Sequence, residues 1–268
     1  TLTLVSNDPD EAVTTVSLYG DGVYPEYVNI GVWSKVQQAN IVNDLYDVFF
    51  INENRGWAVG YNGTIINSIN GGTAWTFQNS GTTRTLNSVF FVDQLTGWAV
   101  GQYGTILKTT NGGLSWNQIG YSIANTLWSI KFINPIKGWS VGEFGNVWTI
   151  NDSIWSYQNS NQTFDLFDVD FINYNQGWAV GSYGTIIRTI DGGQTWTSQQ
   201  SMTTEALLGL DFVNANEGWA VGTNGTILRT INGGLTWVRQ NSNVNFETLY
   251  DVDFIDSNYG WVVGNNGI

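Results

Sequence analysis

The 268-residue chain contains no cysteine, no histidine, one methionine, three prolines and only nine basic residues. Without cysteine there is neither a disulfide scaffold nor thiolate chemistry. Without histidine or cysteine, the usual nucleophile–base pairs of covalent catalysis have no members. Charged residues make up 12% of the chain, about half the usual quarter; Asn, Thr, Ser, Gln and Gly replace them. Net charge is −13, with five Arg and four Lys. That balance offers no electrostatic footprint for nucleic acid or an anionic membrane. No apolar run reaches the roughly 18 residues of a membrane-spanning helix. Thr1 begins in mid-pattern without a signal peptide, as expected of a mature or truncated chain.

Tryptophan is abundant, and it is ordered. Twelve of the fourteen fall into two ladders with steps of 39 to 42 residues. The first is Trp57, Trp98, Trp139, Trp178, Trp219 and Trp261, each preceded by Gly; the second is Trp33, Trp75, Trp116, Trp155, Trp196 and Trp237. A fixed period of this size marks a solenoid or propeller array. Within one period, LNSVFFV, GWAVG, TILKTT and LSWNQIG are four short β-branched and aromatic runs separated by Gly, Asn and Asp turns. Consecutive hairpins are expected, and no stretch carries a 3.6-residue period. Four antiparallel strands per period of about 40 residues make one propeller blade.

The recurring residues have mechanical readings. The Asn-Gly-Gly at Asn70, Asn111 and Asn232, and Asp-Gly-Gly at Asp191, supply left-handed turn conformations. Asn52, Asp93, Asn134, Asn173, Asn214 and Asp256 close each first strand, where a short polar side chain caps its own turn. The ladder tryptophans are plates between stacked blades, each burial worth roughly 2–3 kcal/mol. The third repeat lacks two turn residues at Asn151-Asp152-Ser153, so a tighter hairpin is expected there.

The segment T-x-[ND]-G-G-x-[TS]-W at Thr109–Trp116, Thr189–Trp196 and Thr230–Trp237 resembles the Asp-box (BNR) hairpin, with Asn in place of Asp except at Asp191. Its coupling to G-W-A-V-G-x-x-G-T-I resembles the propellers of the photosystem II assembly and stability factor family, a repeat that many bacterial secreted proteins share. The resemblance covers about residues 31–268. It implies an all-β propeller of six or seven four-stranded blades, and a photosystem-assembly chaperone role as one function.

The expected organisation follows. Residues 1–22, two strands around Asn7-Asp8-Pro9-Asp10, resemble the C-terminal strands of an immunoglobulin-like surface domain; 23–30 form a linker. Residues 31–38 read as a ring-closing fourth strand, followed by blades at about 45–79, 86–120, 127–159, 166–200 and 207–241 and a partial blade at 249–268. On this reading the natural chain continues, by about 10 residues for six blades or about 50 for seven.

Three candidate sites emerge. Asp-box propellers include sialidases and other glycosidases, and that resemblance implies an arginine cluster gripping a carboxylate, with a tyrosine and acidic residues; the arginines here are Arg55, Arg84, Arg188, Arg229 and Arg239, of which Arg188 and Arg229 share one repeat position with Lys108 and read as strand-surface residues. Asp168, Asp170, Asp211, Asp251 and Asp253, with Asp47 and an opposing Lys131, occupy first strands that line a central channel; such an acidic ring would suit calcium, which a calcium titration of the melting temperature tests. Tyr103, Phe144 and Tyr183 occupy one equivalent turn of three adjacent blades, on the face where propellers receive ligands, and suit stacking on a sugar or a protein hot spot. Trp128 and Trp148 fall outside both ladders and read as local packing.

The expectation is therefore a non-catalytic propeller module of a larger secreted or cell-surface protein. It would bind protein or glycan as a rigid scaffold, or join an extracellular assembly, needing no cofactor beyond calcium. The alternatives are a photosystem-assembly-type chaperone and an Asp-box glycoside hydrolase.

Overall fold

The computed structural model describes Leu2–Leu4, Thr14–Val16 and residues 42–268 apart from 120–122, 152–153 and 245. The linker at 23–30 and the closing strand at 31–38, with Trp33, lie outside the described residues. Leu2–Leu4 pairs antiparallel with Thr14–Val16; the rest of the immunoglobulin-like segment also lies outside them.

The fold is an all-β propeller. Blade 1 contains Leu45–Phe50, Gly56–Gly60, Ile65–Ser68 and Thr76–Gln78. Blade 2 contains Leu86–Phe91, Gly97–Gly101, Thr105–Thr109 and Asn117–Gln118. Blade 3 contains Leu127–Asn134, Lys137–Gly142, Val147–Asn151 and Ile154–Gln158. Blade 4 contains Leu166–Phe171, Gly177–Gly181, Ile186–Thr189 and Thr197–Gln199. Blade 5 contains Leu207–Phe212, Gly218–Gly222, Thr226–Thr230 and Val238–Arg239. Leu249–Phe254 and Gly260–Gly264 form a further two-stranded sheet. Each four-stranded sheet follows sequence order, antiparallel throughout.

Local chemistry sets each corner. All six first-strand caps accept two backbone N–H bonds; Asp93, for example, takes those of Leu95 and Thr96, both at 2.7 Å. In the Asp-box turns Asn does the work of Asp: Asn111 Oδ1 accepts the Ser115 N–H at 3.0 Å, as Asp191 Oδ1 accepts that of Thr195 at 2.9 Å. The shortened turn of blade 3 pairs directly through Asn151 and Ile154, the tighter hairpin expected.

Between blades, the first-ladder indoles lie flat on a phenylalanine of the following blade. Trp57 stacks on Phe91 at 3.5 Å, Trp98 on Phe132 at 3.8 Å, Trp139 on Phe171 at 3.5 Å, Trp178 on Phe212 at 3.7 Å and Trp219 on Phe254 at 3.6 Å. Trp116, Trp196 and Trp237 of the second ladder meet Phe91, Phe171 and Phe212 edge-on. The remaining ring face carries a cation: Arg55 over Trp57, Lys108 over Trp98, Lys137 over Trp139, Arg188 over Trp178 and Arg229 over Trp219. Lys108, Arg188 and Arg229 are thus lids on indole plates rather than free strand-surface charges. Where the third strand supplies no cation (Asn67, Thr149), the residue two before the tryptophan does (Arg55, Lys137). Each plate therefore has one cation from one of two positions, worth roughly 0.5–2 kcal/mol.

The last glycine of each G-W-A-V-G motif is held by close approach. A Cβ on Gly181 would lie 2.0 Å from the Asp165 carbonyl oxygen, which also accepts the Ser182 N–H at 3.0 Å. Gly181→Ala is expected to destabilise the fold by about 2–3 kcal/mol, measured by urea unfolding; a loss under about 0.5 kcal/mol would show that this linker can shift freely.

Candidate functional site

The five turns joining second to third strands, and the turn that follows Gly260–Gly264, share one geometry: a backbone residue in the left-handed region followed by glycine. At that position blade 1 has Asn62, blade 5 Asn224 and the final sheet Asn266, with φ of 53–55°. Asn tolerates this conformation, whereas bulky residues rarely adopt it. Blades 2, 3 and 4 nevertheless carry Tyr103 (φ 52°), Phe144 (φ 58°) and Tyr183 (φ 57°). These residues are 65%, 65% and 68% exposed, so little burial offsets a strain of about 1 kcal/mol or more each.

Two of these rings are braced from the linker entering the same blade, whereas the Phe144 N–H donates to Asp165 of the linker leaving its blade at 2.9 Å. Arg84 lies over Tyr103, its centre 5.5 Å from the ring, and donates to the Tyr103 carbonyl at 3.3 Å. Phe164, at the equivalent linker position, packs tilted against Tyr183 with centroids 4.8 Å apart. Downstream the same pairing is polar: Asn224 and Asn266 each donate to a linker carboxylate, Glu205 and Glu247, at 2.9 Å. The face therefore has an aromatic part over blades 2–4 and an amide–carboxylate part beyond. Beside Tyr183 opens a cavity of about 630 Å³, bounded by Gln162, Ser198, Gln200, Met202 and Thr203. Met202 is itself left-handed (φ 59°) and 85% exposed.

Four of the aspartates proposed for the acidic ring hydrogen-bond the backbone of a neighbouring first strand. Asp47 Oδ2 accepts the Val89 N–H, Asp168 Oδ2 that of Leu210 and Asp211 Oδ2 that of Phe254, each at 2.8 Å; Asp170 Oδ2 accepts that of Phe212 at 3.0 Å. They clasp the first strands of blades 1, 4 and 5 to the first strand that follows, one repeat away. Asp170 also pairs with Lys131 at 2.7 Å. Asp251 accepts its neighbour Val252 N–H at 2.8 Å, and Asp253 is exposed. Among the described residues no group of carboxylates is arranged as a metal cage. Burial, and then the charge of Asp251, pushes Asp168 up to about 8. Burial and Asp170 push Asp211 up to about 7; on Asp251, an exposed residue, desolvation and then Asp47 act in the same upward direction but are screened by solvent.

Outside the ladders, Trp128 meets Phe167 edge-on at 6.0 Å and Trp148 meets Tyr157 at 5.6 Å. Trp128, Phe167, Tyr46 and Tyr250 share one position, the extra residue of a bulge in each first strand. Sequence reasoning treated Trp128 alone and missed this series, although the constant offset from the preceding leucine exposes it.

A family profile described as Photosynthesis system II assembly factor YCF48 matches residues 26–127, 147–237 and 198–268. Among solved structures, "YCF48 bound to D1 peptide" aligns at 22% identity and a TM-score of 0.51, over 84% of this chain and 91% of that one. YCF48 from Cyanidioschyzon merolae aligns at 18% identity and 0.58, over 88% and 96%. An ancestral GH74 enzyme aligns at 16% identity and 0.66, over 79% of this chain and 33% of the enzyme. At these identities the structural likenesses establish the propeller fold. A search of curated proteins finds no match. The family match corrects the secreted or cell-surface location expected from composition, since the matching family is one of photosystem assembly.

Proposed function

Because the chain belongs to the photosynthesis system II assembly factor YCF48 family, we propose that it is a non-catalytic assembly propeller that holds an extended segment of a partner protein across the aromatic face of blades 2–4. The carrying observation is the row Tyr103, Phe144 and Tyr183: three exposed rings kept in a backbone conformation that asparagine fills in the neighbouring repeats. Exposed aromatics held rigidly are the side chains that anchor protein interfaces. The solved YCF48 with a bound D1 peptide supports a peptide as the ligand class.

A non-catalytic role also has support in the cations. Seven of the eight described Lys and Arg lie over aromatic rings. The arginines that a sialidase-like centre would gather are thereby distributed over separate blades.

The test replaces all three rings by the residue their neighbours use: Tyr103→Asn, Phe144→Asn and Tyr183→Asn in one variant. Stability should be kept, because the rings are exposed and Asn suits the turn. Affinity for a fluorescent D1 peptide should fall at least about a hundredfold, the loss expected of removing hot-spot aromatics. Unchanged affinity in the folded variant would overturn the reading.

A further inference from the structure

We propose that the cavity beside Tyr183 is a specificity pocket that takes one uncharged, apolar side chain of an extended peptide lying on the aromatic face. The inference rests on the peptide-binding reading and adds what the bound segment must contain. Two observations carry it.

First, the cavity is lined mainly by neutral polar residues, with Tyr183 and Met202 as its exposed apolar side chains. Tyr183 and Met202 line it from two segments, the turn after the second strand and the linker leaving blade 4. Both are exposed, and both are non-glycine residues in the left-handed region. At the place of Met202 three other linkers carry Gly81, Asn161 and Asn243, the residues that conformation favours. A thioether is adaptable and apolar, suited to closing on a side chain of variable shape. Second, in a chain of net charge −13, no lining residue is ionisable near neutral pH. Gln162, Ser198, Gln200 and Thr203 offer amide and hydroxyl groups, donors and acceptors at once. Such a lining satisfies the backbone N–H and C=O groups of an extended peptide on either side of the anchor. A charged anchor would lose its water without gaining a partner. The lining is pre-set, since Gln162 donates to Ser198 Oγ at 2.9 Å, and Phe164 braces the Tyr183 ring.

The test uses short fluorescent peptides that differ at one guest position (Leu, Phe, Asp or Lys) within an otherwise constant sequence that binds the protein. For the unaltered chain, Leu and Phe should bind at least about tenfold tighter than Asp or Lys. Ser198→Trp fills the cavity from an exposed position and should leave the melting temperature unchanged. It should abolish the guest preference. Tyr103→Asn, two blades away, should weaken all four peptides alike and leave the preference intact. If Ser198→Trp changes neither affinity nor preference while Tyr103→Asn weakens binding, the pocket proposal is overturned and the peptide reading stands. If neither substitution matters, both fail. Blockage by Ser198→Trp of a neutral oligosaccharide, with peptides unaffected, would assign the cavity to sugar and overturn the proposal as well.

Discussion

Trp178→Ala is expected to lower the unfolding free energy by about 4 kcal/mol, within the range for deleting a buried tryptophan. The loss combines three things. The ring is wholly buried and stacks on Phe212 of the next blade. Arg188 loses its platform. The Gly233 carbonyl of the next Asp-box turn loses the indole N–H it accepts at 3.0 Å. Urea unfolding measures it; a loss below about 1 kcal/mol would mean the plates do not join the blades. A finer comparison separates packing from hydrogen bonding. Trp98 is buried equally well and stacks on Phe132, yet its N–H has no acceptor among the described residues, facing the blade whose turn is two residues short. Trp178→Phe should therefore cost about 1 kcal/mol more than Trp98→Phe.

Lys131→Met should cost about 3 kcal/mol or more at pH 8, because it leaves the buried Asp170 carboxylate without its cation. It should cost clearly less at pH 5. The sign follows from the neighbours. Asp168 and Asp211 have folded-state pKa values raised to about 8 and 7, above the usual unfolded value near 3.9. Between those limits the folded protein binds more protons than the unfolded chain, so stability is greatest at the acid end and declines as pH rises. The unaltered protein should therefore melt several degrees higher at pH 5 than at pH 8. Lys131 favours the ionised forms of Asp211 and Asp251, so its removal should steepen that decline. A melting temperature that instead rises toward pH 8, in either protein, would contradict the placement of these carboxylates in the channel.

Much of this architecture was legible because a repeat states its rules several times. The indole ladders, the Asn and Asp caps and the Asp-box glycines each serve one local need, visible in a short window of sequence. What stayed hidden depends on neighbours a full repeat away. Asp168 and Asp211 read as a cation ring because nothing local says that a backbone N–H some 42 residues downstream will take one oxygen. The cation lids alternate between two positions, so neither position alone looks periodic: Arg55 and Lys137 precede their tryptophans, whereas Lys108, Arg188 and Arg229 lie opposite theirs on the third strand. The aromatic row was visible as Tyr103, Phe144 and Tyr183 at one turn. Its left-handed backbone, and the bracing from Arg84 and Phe164, emerge only in three dimensions.

Hydrogen–deuterium exchange with and without a saturating bound peptide tests the central claim most directly. Protection should appear at the turns Gln102–Gly104, Glu143–Gly145 and Ser182–Gly184 and in the linker around Met202. Protection confined to the opposite face, at the Asn-Gly-Gly turns around Asn111 and Asn232, would contradict it.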